Sequence, residues 1–207
     1  MRIKLSDHFT YKKLIRFVLP SIIMMIFTSI YGVVDGLFVS NFVGKTAFAA
    51  INLIMPFLMG LSALGFMVGT GGSAIVAKTL GEKKNKRANE YFSMLIYITI
   101  IGGLVISVIG SILIRPVSSF LGASGELLEN CVLYGRILFL SLTPYMLQNV
   151  FQSFFVTAEK PKLGLYVIIA AGLTNMLLDF LFIAVFKWGL AGAALATAAS
   201  EYMGGFL

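Results

Sequence analysis

Six apolar stretches, each long enough to cross a bilayer and joined by short polar links, constrain this chain more than any other feature. They run approximately from Phe17 to Phe42, Ala47 to Ala77, Phe92 to Ile114, Leu127 to Thr157, Leu163 to Phe186 and Trp188 to Leu207. About 20 helical residues rise far enough to cover roughly 30 Å of hydrocarbon. Inside lipid every backbone N–H and C=O must pair within its own segment, so such stretches are helical. The expected fold is an all-α integral membrane protein with six transmembrane helices. With 58% apolar and 12% charged residues the chain has the wrong balance for a water-soluble, disordered or nucleic-acid-binding protein. One cysteine, Cys131, and one histidine, His8, allow no internal disulfide and no histidine metal cage, and no Ser-His or His-Glu-x-x-His arrangement is present. The chain is therefore expected to be no enzyme and to carry no cofactor. The run Gly69-Thr70-Gly71-Gly72-Ser73 lacks the Gly-Lys-Ser/Thr ending and the preceding strand of a nucleotide loop.

The 16 Lys and Arg residues divide unevenly between the two sides of such a bundle. Arg2, Lys4, Lys12, Lys13 and Arg16 precede the first segment; Lys78, Lys83, Lys84, Lys86 and Arg87 separate the second from the third; Lys160 and Lys162 separate the fourth from the fifth. The opposite side holds Lys45, Arg115 and Lys187, with Arg136 snorkelling near its edge. The positive-inside rule then predicts a multi-pass protein of the cell membrane with a cytoplasmic N-terminus, and the basic loop is read as facing anionic lipid rather than nucleic acid. The expected organisation is a cytoplasmic N-terminal segment over residues 1–16, amphipathic from Leu5 to Arg16 or else a disordered tail, followed by the six-helix unit over 17–207. Because Leu207 lies within an apolar run, the sixth helix is expected to be truncated and the chain to be one half of a longer protein.

Three acidic residues fall inside spans: Asp35, Asp179 and Glu201. Each costs on the order of 3 kcal/mol at the bilayer centre unless it faces a cavity, a partner or a cation. Counting 1.5 Å per residue from the outer ends puts Asp35, Asp179, Thr197 and Tyr134 at about the same depth, roughly 10–12 Å in. Asn175 lies four residues before Asp179, on the same helix face, and Glu201 lies one turn below Thr197. Carboxylates, an amide and hydroxyls are hard oxygen donors, suited either to a desolvated sodium ion or, through the carboxyls, to protons. Pro20 is either a hinge in the first helix or a proline tolerated in its first turn. Pro56 and Pro144 are further bend points. Met and Phe side chains along the first two segments, among them Met24, Met25, Phe27, Met55, Phe57, Met59, Phe66 and Met67, either face lipid or pack, with some able to line an adaptable apolar cavity. The glycines of the second segment are read as packing positions.

These residues resemble the multidrug and toxic compound extrusion (MATE) transporters, part of a superfamily that also contains lipid-linked oligosaccharide flippases. The resemblance rests on Pro20, on Tyr31-Gly-Val-Val-Asp35-Gly-Leu-Phe-Val-Ser40, and on Gly69-Thr-Gly-Gly-Ser73 leading to Leu80-Gly81. It extends to Asn175-Met-Leu-Leu-Asp179 and Gly192-Ala-Ala-Leu-Ala-Thr197. It implies one lobe, the N-terminal one, of a twelve-helix, two-lobe transporter that exports lipophilic, often cationic compounds by alternating access, coupled to Na+ or H+. The partners it implies are small-molecule substrates, the lipid bilayer and a C-terminal lobe, or a second copy in its place. In the branch that binds its cation in this lobe, Asp35, Asn175, Asp179 and Thr197 form the Na+ or proton site and Pro20 bends the first helix. Tyr134 corresponds less closely to a tyrosine that hydrogen-bonds the site. Glu201 departs from the amide expected after Thr197, as an additional proton carrier or a link between helices. The alternatives to export are a lipid-linked oligosaccharide flippase, which should hold pyrophosphate on cationic groups in its cavity, and a non-transporting membrane scaffold.

Overall fold

The computed structural model describes residues 10–206, all of them in helices or the short turns between helices. Helix α1 (Tyr11–Phe38) continues into a π-helical turn (Val39–Val43); α2 spans Lys45–Gly81, α3 Asn85–Phe120 and α4 Gly125–Thr157. Helix α5 (Pro161–Asp179) also runs on into a π-helical turn (Phe180–Val185), and α6 covers Gly189–Phe206. Each apolar segment is thus one helix. Most overrun their apolar stretch because the i to i+4 ladder tolerates polar residues once it leaves the hydrocarbon. Helix α3, for example, starts at Asn85, seven residues before Phe92, where its apolar stretch begins.

Helix α1 starts at Tyr11 after Thr10, so residues 11–16 are helical and continuous with the first span, and residues 1–9 of the expected N-terminal segment lie outside the described residues. The early start puts Pro20 ten residues into a continuous helix, outside its first turn. Its ring leaves the Arg16 carbonyl without the usual donor. Helices α2 and α4 run unbroken through Pro56 and Pro144.

Six spans are expected, yet only four of the described helices are long and apolar enough to cross a membrane by length and composition alone: Tyr11–Val43, Lys45–Gly81, Asn85–Phe120 and Pro161–Val185. The exceptions, α4 and α6, are the interior helices. Helix α4 packs against α2, α3 and α6, and its buried face carries Ser141, Thr143 and Gln148. Helix α6 is short and built from Ala and Gly with Glu201 near its end. Helices surrounded by protein need not be as apolar as those that meet lipid.

Small residues set the spacing. A Cβ at Gly65 or Gly69 of α2 would run into the backbone of α4 at Met146 or Val150, so these glycines are where the two helices touch. Gly60 and Gly71, by contrast, face open space. The core lies between α2, α3, α4 and α6, around Ile54, Ile114, Phe139, Leu142 and Ala194. Helix α1 stands apart from this core and leans on α5 instead of on α2, its neighbour in sequence. At the ends of the bundle, Arg115 closes onto both carboxylate oxygens of Glu129 at 2.6 and 2.8 Å, linking α3 to α4. In the exposed turn after α2, Lys84 donates to Glu82 at 2.7 Å and holds that carboxyl below its ordinary range.

Candidate functional site

Because α1 rests on α5 and not on α2, a cavity of about 380 Å³ opens between α1, α2, α4, α5 and α6. Its walls are mostly apolar, with Phe48, Met55, Leu58, Met59, Leu138 and Leu142. Of the Met and Phe side chains considered from sequence, Met55 and Met59 line it, whereas Met25, Phe66 and Met67 point outward. Asp35, Asn175, Thr197 and Glu201 supply its acidic and polar positions, with Tyr31, Asn52, Tyr145 and Gln148. Among the described residues no Lys or Arg lines it.

The four residues placed at one depth by the helical rise, Asp35, Asp179, Thr197 and Tyr134, come together with Asn175. Asp35 on α1 and Asp179 at the end of α5 bring their carboxyl groups next to each other. Asp179 is fully buried, as are Asn175 one turn before it and Tyr134 on α4. The Tyr134 hydroxyl faces Thr197 of α6 without completing a well-formed hydrogen bond. The consequence is a group of buried oxygens with no hydrogen-bond partner: Asp35 Oδ1, both Asp179 oxygens, Asn175 Oδ1, Tyr134 Oη and Thr197 Oγ1. Buried polar atoms are almost always paired in native structures. Six unpaired oxygens from four helices in one place are chemically suited to a hard cation or to protons. No cluster of three or more His, Cys, Asp or Glu that could hold a metal occurs among the described residues, so any cation bound here would rely on the amide and hydroxyl oxygens as well.

Two local features build this geometry. Gly172 of α5 lies under Phe27 and Tyr31 of α1, where a Cβ would sit 2.5 Å from Phe27 Cε1 and 2.9 Å from Tyr31 Cδ1. The missing side chain lets α1 approach α5 two turns before Asp179. Both acid-bearing helices then widen. The Gly44 N–H donates to Val39 O at 3.1 Å and the Phe186 N–H to Leu181 O at 2.8 Å, i to i+5 bonds just beyond Asp35 and Asp179. Such wide turns are rare and concentrate at functional positions.

Glu201 is set apart from that group. Ser141 Oγ donates to Glu201 Oε2 at 2.6 Å, so the carboxyl bridges α6 to α4 one turn deeper than Thr197. The link between helices expected of Glu201 is present, and the same side chain also faces the cavity. Sequence reasoning did not find Ser141 as its partner, nor Tyr31, which stands close to both Asp35 and Glu201. Tyr31 carried a usable signal, since it lies one turn before Asp35 on the same face. Arg136 is exposed on the outer surface of α4.

A helical bundle with acid-lined apolar space between its spans defines the class, a multi-pass membrane protein built around an intramembrane cavity. A family model described as MatE matches residues 20–181, and the chain belongs to that family. It is 30% identical over 94% of its length to the multidrug export protein MepA of Staphylococcus haemolyticus, covering 43% of that protein. It is 28% identical over 92% of its length to MepA of Staphylococcus aureus, covering 42% of it. It superposes on a crystal structure of MATE in the bent conformation with a TM-score of 0.86 at 27% identity, covering 93% of this chain and 43% of that one. A MOP superfamily transporter from Pyrococcus furiosus, described as having a binding pocket of reverse polarity, gives 0.87 at 27% identity, over 94% of this chain and 43% of the other. The chain thus spans less than half the length of the relatives it matches.

Proposed function

We propose that this chain forms the N-terminal lobe of a cation-coupled antiporter that exports lipophilic, often cationic compounds across the cell membrane by alternating access, its N-terminus in the cytoplasm. The observation that carries the reading is the set of unpaired oxygens from Asp35, Tyr134, Asn175, Asp179 and Thr197 beside an apolar cavity. The multidrug export function of the MepA relatives supports the substrate class. In this reading Na+ or H+ binds between Asp35 and Asp179, with Asn175 and Thr197 as further ligands and Tyr134 in support. The bound cation favours one conformation because α1 and α5 must close on it, and differential affinity for the two states is what a coupling ion needs. Pro20 gives α1 the freedom to bend as it closes. A second lobe, either further chain or a second copy, completes the cavity.

The flippase alternative calls for cationic groups that could hold a pyrophosphate, and among the described residues none lines this cavity. The experiment is cation-gradient-driven efflux of a lipophilic cationic dye in everted vesicles, with the chain as it occurs in its full protein. Asp35→Asn and Asp179→Asn are each expected to abolish gradient-driven export while membrane insertion stays normal. Normal export by either variant would overturn the proposal.

A further inference from the structure

Glu201 is the one acidic residue of the cavity that stands outside the group around Asp35 and Asp179, and its surroundings differ in kind. Asp179 is packed on every side, whereas Glu201 is only half-buried and lines the cavity. Its position is fixed from below. A Cβ at Gly205 would collide with the backbone of α4 at Pro144, and one at Gly204 with the Gln148 amide, so α6 lies directly on α4 at these two glycines. That contact delivers the Glu201 carboxyl to Ser141, which holds Oε2 at 2.6 Å. A side chain anchored in this way loses little conformational freedom when it binds something else.

Around it the cavity offers aromatic faces and flexible apolar side chains: Tyr31 and Tyr145 close to the carboxyl, with Phe48, Met55 and Met59 also in the lining. Aromatic faces attract organic cations, and thioethers adapt to irregular apolar shapes. The volume of about 380 Å³ falls within the range of small-molecule sites. No Lys or Arg among the described residues lines the cavity to neutralise this carboxyl. Along α6, Glu201 is four residues from Thr197, about 6 Å deeper, which separates it from the group around Asp35 without isolating it.

We infer that Glu201, held by Ser141, is the specificity-determining residue of the cavity, taking the positive centre of a lipophilic monovalent organic cation while Asp35 and Asp179 hold the coupling ion. The inference rests on the export reading and deepens it, dividing the acids of the cavity between cargo and coupling ion. A charge that meets Glu201 across a poorly hydrated gap is attracted far more strongly than at a water-exposed surface. A neutral compound of the same shape gains only the apolar walls.

The test is equilibrium binding to the full chain purified in detergent, with tetraphenylphosphonium as the cationic probe and triphenylphosphine oxide as a neutral relative. Glu201→Gln is expected to weaken tetraphenylphosphonium binding about tenfold or more and to leave triphenylphosphine oxide unchanged, which also reports an intact fold. Ser141→Ala should weaken the cation by a smaller factor in the same selective way, and Gly60→Ala, whose added Cβ meets nothing within 4 Å, should leave both affinities within about twofold. If Glu201→Gln binds the cation as tightly as the wild type, or loses both probes equally, the inference is overturned while the export reading stands. If the wild type binds neither probe, the export reading falls and the inference with it.

Discussion

Replacing Gly172 by Ala tests whether the approach of α1 to α5 sets the cation site. Carbon atoms in contact sit about 3.5–4.0 Å apart, whereas the new Cβ would lie 2.5 Å from Phe27 Cε1 and 2.9 Å from Tyr31 Cδ1. Both rings belong to one face of α1, four residues apart, so relief requires either that both swing away or that α1 backs off by about 1 Å. Overpacking of this kind costs about 1–3 kcal/mol, and the better helix propensity of Ala returns about 1 kcal/mol. The net loss of stability is then about 0–2 kcal/mol, a fall of a few degrees in melting temperature for a chain of this size. The effect on the site should be larger in proportion, since Asp35 lies one turn beyond Tyr31 and meets Asp179 across the same interface. The assay is thermal unfolding of detergent-purified protein, titrated with Na+ at constant ionic strength and separately with pH. A tenfold loss of affinity removes about 1.4 kcal/mol of cation-dependent stabilisation at high cation. Gly60→Ala is the control, because nothing lies within 4 Å of the added Cβ. The reasoning is refuted if Gly172→Ala melts lower than the control yet keeps the full stabilising increment from both Na+ and protons.

Tyr134→Phe removes a fully buried hydroxyl that faces Thr197 and stands near Asp35. Because that hydroxyl has no hydrogen-bond partner, stability should stay unchanged or rise slightly, while gradient-driven efflux slows several-fold; efflux at the wild-type rate would remove Tyr134 from the site. Pro20→Ala restores a donor to the Arg16 carbonyl and stiffens α1. Transport turnover should fall with cation-dependent stabilisation unchanged, and a wild-type turnover in vesicle efflux would show that α1 does not bend there.

The common level at which Asp35, Asp179 and Thr197 sit in the bundle was legible in the sequence because a helix has a fixed rise. Asp35, Asp179 and Thr197 each lie about the same number of residues from the outer end of an apolar run, and Asn175 is tied to Asp179 by helical periodicity. What hydropathy does not carry is the lateral order of the helices. A lipid-facing Met25 and a cavity-lining Met55 look the same in sequence, since both surroundings are apolar. The approach of α1 to α5 joins residues some 140 positions apart through a glycine in a run of small residues, and nothing local distinguishes Gly172 from glycines that face open space. The π-helical turns after Asp35 and Asp179 were equally hidden, because one additional residue per turn changes hydrogen bonding and leaves composition untouched.

The same argument explains why α4 and α6 fall short of the apolarity of a span and yet carry half of the site. A helix enclosed by other helices can keep Ser141, Tyr134, Thr197 and Glu201, whose polar atoms turn toward one another, toward Asp35 or toward the cavity, where a lipid-facing helix could not. Low apolarity in a segment of spanning length is then itself a signal that the segment is interior. In this chain it singles out the two helices that meet at Ser141 and Glu201. Helices α1 and α5, the more apolar pair, carry the carboxyls that come together at Asp35 and Asp179. The interior pair is locked by close glycine contacts, whereas α1 rests on α5 and has a proline ten residues into its length. If the lobe moves when a cation binds, α1 is the element free to do so, and Glu201 stays with the fixed framework against which that motion is measured.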